Sequence, residues 1–385
     1  MLRFITSFLL TLILFQVHAQ TENVGVATYF DGLGTPYGGC GVPQEKLETQ
    51  DFVALNVFNT PGNGTQYTRP VPDDNIDVMG EFQNGYNCGR WMKVTIMENC
   101  KGTNDGALGQ QFCRGASSAW ISDKFVGAEL NMIVADACGD ANGWCRDSPY
   151  HLDIMKPSLS KFNKNGVLTT DMVPANWNNR KVKWEYIEAP NYTGDIKIHF
   201  MKDAQMYYSP ILITNLKNGI HGIEQKIGSN WVAIERFADM GQAFILKDNK
   251  SPMRIRVIDV NDEYVNKARE YVFSLPASCN PKCVPATTQV TYQVFDVVTS
   301  LDNEKLNPNS LWVQSANRES AVFWSGLHLS DNVVKVQDVT GKELKSFSLS
   351  GENGTIDIGL LPQGIFTVLL YEKGFLAITK RLIVN

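Results

Sequence analysis

This 385-residue chain carries little charge and few histidines, and past its first twenty residues it has no long apolar run. Charged side chains are 19% of the total and the formal net charge is −5, which excludes the basic surface needed to bind nucleic acid or an anionic membrane. No later stretch approaches eighteen uninterrupted apolar residues, so no transmembrane span is expected. The five histidines show no ligand spacing and the cysteines include no C-x2-C pair, so neither a metal nor a cofactor is expected. Helical periodicity is nearly missing too; only Ser117–Val126 reads as one short helix.

What is present begins with a leader. Arg3 precedes the apolar run Phe4 to Val17, and Val17-His18-Ala19 resembles a cleavage site, so residues 1–20 read as a secretory signal peptide. An exported chain makes its eight cysteines legible as disulfides. Cys40, Cys88, Cys100, Cys113, Cys138 and Cys145 form one even set, whose pairing is open among fifteen connectivities, and Cys279 and Cys283 form another.

The length exceeds one ordinary core and predicts two or three domains. Residues 21–177 combine Gly, Asn and Asp with short apolar runs such as Phe52–Phe58 and Met92–Met97, the pattern of a β barrel or sandwich. Asn176–Arg180 reads as a polar hinge. Residues 181–277 alternate cleanly, as in Val182–Ile187 and Met253–Ile258, and fit an immunoglobulin-like sandwich in which Trp231 belongs to the core. Residues 278–289, with the Cys279–Cys283 clip, read as a linker, and 290–385 as a third β module. Block 21–180 holds 18 acidic against 12 basic side chains, so its polar substrate is expected to be neutral or cationic.

Two stretches carry the candidate chemistry. Val134-Ala-Asp136-Ala-Cys138 ends a buried strand on a charge, and in His151-Leu-Asp153-Ile154 the two polar residues are two apart, hence on one strand face. Asp136, before a Gly- and Asn-rich loop, also suits simple turn capping. Asp153, flanked by Leu152 and Ile154, is the stronger acid candidate.

Taken in order, Gly25-Val-Ala-Thr-Tyr-Phe30, Gly38-Gly-Cys-Gly-Val42, Val134–Cys138 and His151-Leu-Asp153 resemble the expansin motifs GxATYY, GGACG, VxDxCP and HFDL. The second block is similar to the expansin carbohydrate-binding domain through Val182-Lys-Trp184, Tyr207-Tyr208 and Trp231–Glu235. Where the family has CPxC, this chain has Cys138-Gly139 and a longer loop to Cys145. The resemblance implies an all-β protein with a six-stranded double-psi β-barrel and a β-sandwich. It implies that Asp153 is required for loosening and that Asp136 is a polar contact beside it. Thr28 and Tyr29 would line a groove, and Tyr207, Tyr208 and Phe237 would stack on sugar rings. Residues 290–385 resemble the carboxy-terminal β-sandwich sorting domain of type IX secretion cargo, through Val333–Leu344, Ile356–Phe366 and Lys380–Asn385. The type IX secretion machinery is then an expected partner, and the cell exterior or surface the expected location.

Three function classes follow. The first is a monomeric, exported expansin-like protein that binds cellulose, xyloglucan or another β-glucan and loosens it without hydrolysis. The second is a weak inverting endo-β-1,4-glucanase resembling family-45 glycoside hydrolases, with Asp153 as acid and Asp31 as base. The third is a plain carbohydrate-binding or adhesion protein.

Overall fold

A computed structural model describes residues 23–139, 141–173 and 176–296, and in the C-terminal region 311–316, 319–324, 332–338, 341–351, 354–362, 364–372 and 375–384. The expected signal peptide lies outside the described residues. Strands dominate; the one α-helical turn among the described residues is Trp144–Asp147. No helix among them is long and apolar enough to cross a membrane.

Six strands close a barrel: β1 (Asn23–Phe30), β2 (Phe52–Asn56), β3 (Trp91–Ile96), β4 (Glu129–Cys138), β5 (Leu152–Met155) and β6 (Lys181–Ile187). Around the ring the order is β1, β5, β2, β4, β3, β6 and back to β1. The pairs β1/β5 and β2/β4 are parallel and the other four antiparallel. Alternate residues fill the interior: Val53 and Leu55 from β2, Met132 and Val134 from β4, Leu152 and Ile154 from β5. Their neighbours Phe52, Ile133 and Ala135 are equally buried, in a second cluster on the outside of the barrel. Burial on both faces is why these strands read as continuous apolar runs rather than as alternation.

That outer cluster joins the barrel to a sandwich. One five-stranded antiparallel sheet comprises β7 (Lys197–Met201), β8 (Pro210–Thr214), β11 (Glu235–Phe237), β12 (Met240–Ile245) and β15 (Thr287–Gln289). The other comprises β9 (Gly222–Ile227), β10 (Asn230–Ala233), β13 (Met253–Ile258), β14 (Glu270–Phe273) and β16 (Gln293–Phe295). Ile198, Phe200, Ile211, Ile213 and Phe244 face the sandwich core, while Met201, Leu212 and Ala243 of the first sheet pack on the barrel. Contact is close enough to require glycine: a Cβ on Gly241 would lie 1.8 Å from the Gly85 carbonyl oxygen. Barrel and sandwich together form one compact unit ending at Phe295.

Several expectations change. Val182–Ile187, expected to open the second block, is the closing stave of the barrel, pairing with β1 and β3. Thr287–Gln289, within the expected linker, hydrogen-bonds to β7, and Gln293–Phe295 pairs with β14. Ser117–Val126 is not helical; Arg114–Ile121 pairs with Asn99–Thr103 in a hairpin tied by Cys100–Cys113. Trp231 lies half-buried on the short edge strand β10, outside the core, with Arg256 4.5 Å and Lys226 5.0 Å from its ring. A short edge strand has no second sheet over its outer face to bury an indole. The remaining disulfides are Cys40–Cys88, Cys138–Cys145 and Cys279–Cys283, so every pair stays within its block.

The expected polar hinge is a buried lock. Trp177 and Arg180 are fully buried; the Trp177 indole donates to the Ala27 carbonyl at 3.1 Å, and the Arg180 guanidinium grips Asp123. Asp123→Ala strands a buried cation, and the expected cost is about 3–5 kcal/mol in urea-unfolding free energy. A loss below ~1 kcal/mol would refute the lock.

Residues 296–385 form a separate unit. Leu311–Ala316, Glu319–Trp324 and Gly354–Leu360 make one sheet. Asn332–Gln337, Glu343–Leu349, Gly364–Glu372 and Phe375–Val384 make the other. Val322, Trp324, Val334, Val336, Val368 and Leu370 share the core between them. The described residues are thus nearly all β: a closed six-stranded barrel and two sandwiches.

Candidate functional site

Parallel pairing of β1 with β5 sets Thr28 directly beside Asp153, and β2 places the small Ala54 on the other side of Asp153. The Thr28 hydroxyl donates to Asp153 Oδ1 at 2.7 Å, and its oxygen is 3.1 Å from His151 Nε2. His151 Nδ1 lies 2.6 Å from the Val26 carbonyl oxygen, an acceptor only, so Nδ1 carries the hydrogen. Burial drives this imidazole down to about 4, leaving the ring neutral at pH 7 with Nε2 as an acceptor. Thr28 therefore has one hydrogen and two acceptors in reach. The carboxylate is the shorter, charge-assisted partner.

Asp136 sits on β4 behind a loop that must come very close. Its Oδ1 accepts the Gly39 and Ala137 N–H groups at 2.6 and 2.9 Å. A Cβ on Gly39 would lie 2.8 Å from the same oxygen, so the Gly38-Gly39 pair is a condition of this contact. Burial raises the Asp136 carboxyl, against the two backbone donors and the Arg69 charge. Arg69 itself reaches the sandwich, pairing with Asp239 at 2.7 Å. This bridge was not legible in the sequence, since Arg69 lies on a loop without periodicity.

Asp31 follows β1 on the rim. Its side chain is 86% exposed and paired to Lys156 at 2.9 Å. Tyr29 is 37% exposed, with the same lysine ammonium 5.7 Å from its ring centroid. The Cys138–Cys145 sulfurs lie within 4.8 Å of a His151 ring nitrogen, but as a cystine they offer no thiolate to a metal. Trp144, in that cystine loop, stacks on Phe112 with centroids 5.2 Å apart; it was not singled out from the sequence.

On the sandwich, Met206 and Tyr207 form the two-residue turn between β7 and β8. Gln205 and Tyr208 close that turn through backbone bonds of 2.7 and 3.1 Å. Tyr207 is 79% exposed and Tyr208 half-buried, so two adjacent residues differ in role because one is at the turn and one in the bridge. Phe237 lies elsewhere: half-buried against the barrel–sandwich cluster, opposite Met240. The structure does not bring it together with the tyrosines. A junction links rim and turn. The Tyr37 hydroxyl donates to the Ala286 carbonyl at 2.7 Å and accepts the Lys202 N–H at 2.9 Å, beside the Asp203–Lys282 ion pair.

The fold and site define a closed six-stranded barrel fused to a sandwich, with an acid–hydroxyl pair on adjacent parallel strands and an exposed aromatic turn. No family model matches the chain, and no curated protein matches it. Among solved structures it is similar to an expansin of Clavibacter michiganensis, as a point mutant in complex with cellohexaose. That match has 16% identity over 63% of this chain and 88% of that one, with a TM-score of 0.39. The apo form of the same expansin matches at 17% identity over the same shares, with a TM-score of 0.38.

Proposed function

We propose that this chain is an exported, expansin-like protein that binds a β-glucan and loosens its contacts without cleaving it. The observation that carries the reading is the Thr28–Asp153 pair, set side by side by strand register with Tyr29 exposed at the same strand end. A hydroxyl and a carboxylate there can compete for the hydrogen bonds that hold a glucan to its neighbours. Binding energy spent on that distortion replaces turnover. Exposed Tyr207 would stack on the apolar face of a sugar, burying area at small entropy cost. Asp136 would hold the groove loop rather than touch sugar, since its Oδ1 already accepts two backbone N–H groups. Export past the outer membrane through the type IX machinery, using residues 296–385 as address, belongs to the same reading.

The hydrolytic alternative is disfavoured by Asp31, whose carboxylate is exposed and neutralised by Lys156 where a general base is needed. A pull-down on insoluble cellulose, xylan and chitin, with reducing ends assayed in the same tubes, tests the proposal. Depletion by cellulose without sugar release is expected. Reducing ends lost in Asp31→Ala would instead establish an endoglucanase.

Tyr207→Ala should weaken cellulose retention by about 1–2 kcal/mol, ~5- to 30-fold. Phe237→Ala should lower the melting temperature and leave affinity alone. The reverse pattern would remove Tyr207 from the binding surface.

A further inference from the structure

Beside Tyr207 lies a cleft of about 650 Å³ that the flat stacking picture does not use. Three segments form it: the Met206-Tyr207 turn, the Asp248–Ser251 loop after β12, and Leu275–Asn280, held by Cys279–Cys283. Its size falls in the range of ~300–1,000 Å³ that encloses a small ligand, where a polymer face needs a plane. Its walls are of two kinds. Met206, Tyr207, Leu275 and Pro276 give an apolar side; Asp248, Asn249 and Lys250 give a polar one. A pyranose has the matching division, with axial C–H groups on its face and hydroxyls around its edge.

The polar side has unspent capacity. Lys250 makes no ion pair among the described residues, and only its backbone N–H is engaged, by Asp248 Oδ1. The apolar side is open, with Met206 78% and Tyr207 79% exposed.

We infer that this cleft is a binding site for a single terminal pyranose unit, a glucan chain end or a one-sugar branch, entering beside the Tyr207 ring. The inference rests on the carbohydrate reading above and refines it: the sandwich selects ends or branches, while the barrel groove takes the chain.

The test is calorimetric titration of the full chain with two soluble probes, cellotetraose for the chain end and a xyloglucan oligosaccharide for the branch, alongside retention on insoluble cellulose. At least one probe should bind, and the better one names the source. Ala277→Trp, at an exposed position on the cleft wall, should weaken that probe ~10-fold or more, and Lys250→Ala ~3-fold. Retention on crystalline cellulose, which exposes few ends, should change less than ~2-fold in both variants. No binding of either probe, or binding indifferent to Ala277→Trp, overturns the inference while retention still stands. Lost retention in the unaltered chain with intact probe binding overturns the groove reading and leaves the cleft.

Discussion

Asp153→Ala is expected to abolish weakening of filter paper and creep of wall strips, while retention on insoluble cellulose falls less than ~2-fold. The reasoning starts from the hydrogen count. In the native site the Thr28 hydroxyl donates to Asp153, with His151 Nε2 the second acceptor 3.1 Å away. Removing the carboxylate frees that hydroxyl to turn onto His151, so Thr28 keeps an acceptor and the strands keep their pairing. The variant should fold, and its deficit should be one of function. Affinity survives because Tyr207 lies on the sandwich, far along the chain from the acid. Joint loss of retention and loosening, in a variant with an unchanged melting temperature, would sink the separation of roles. Loosening that persists undiminished would reduce the barrel to an inert support.

The second large effect is acid lability. His151 and His199 are both buried, at 0% and 2% exposure, and burial lowers each to about 4 from the ordinary 6.5. For His199 the nearby Lys46 and Lys197 act in the same direction. An imidazole whose folded value lies below its unfolded value binds more protons when unfolded. Its full contribution to stability is present above about pH 6.5 and is lost as pH falls toward 4, by about 3 kcal/mol for each ring at pH 4. Asp136 and Glu48 work against this, because burial raises both carboxyls and favours folding once they are protonated. Their offset, joined by that of Glu81, which burial raises as well, begins above the ordinary carboxylate range and subtracts from the histidine loss as pH falls. Between pH 7 and pH 5 the two rings together should remove up to about 4 kcal/mol of urea-unfolding free energy. His151→Asn should shrink the measured difference by about 2 kcal/mol, and an unchanged difference in that variant would show that the His151 ring is not desolvated.

How much of this was legible in the sequence varies residue by residue. The spacing of His151 and Asp153 told which strand face they share, because a period of two leaves no choice. The resemblance placed Thr28 in the groove, but its pairing with Asp153 was not legible, since parallel register between residues 125 positions apart has no local signal. The closing stave shows the limit most clearly: Val182–Ile187 alternates just as the sandwich strands do, and alternation says that one face is buried without saying against what. Trp231 failed for a related reason, as Val232 and Ile234 made an apolar context that an edge strand shares with a central one. Arg69, Asn249 and the walls of the cleft lie on loops, where side-chain chemistry is visible in sequence and its assembly is not.

The return of the chain to β1 through residues 181–187 has a consequence for how the molecule is made. As synthesis proceeds, residues 23–180 can form only an open ribbon with the edges of β1 and β3 exposed, and the arrival of Ile187 completes the ring. A truncation at Trp177, the natural-looking boundary, would leave that ribbon permanently ajar and prone to pair with other copies. No chain that stops before Ile187 can close the ring.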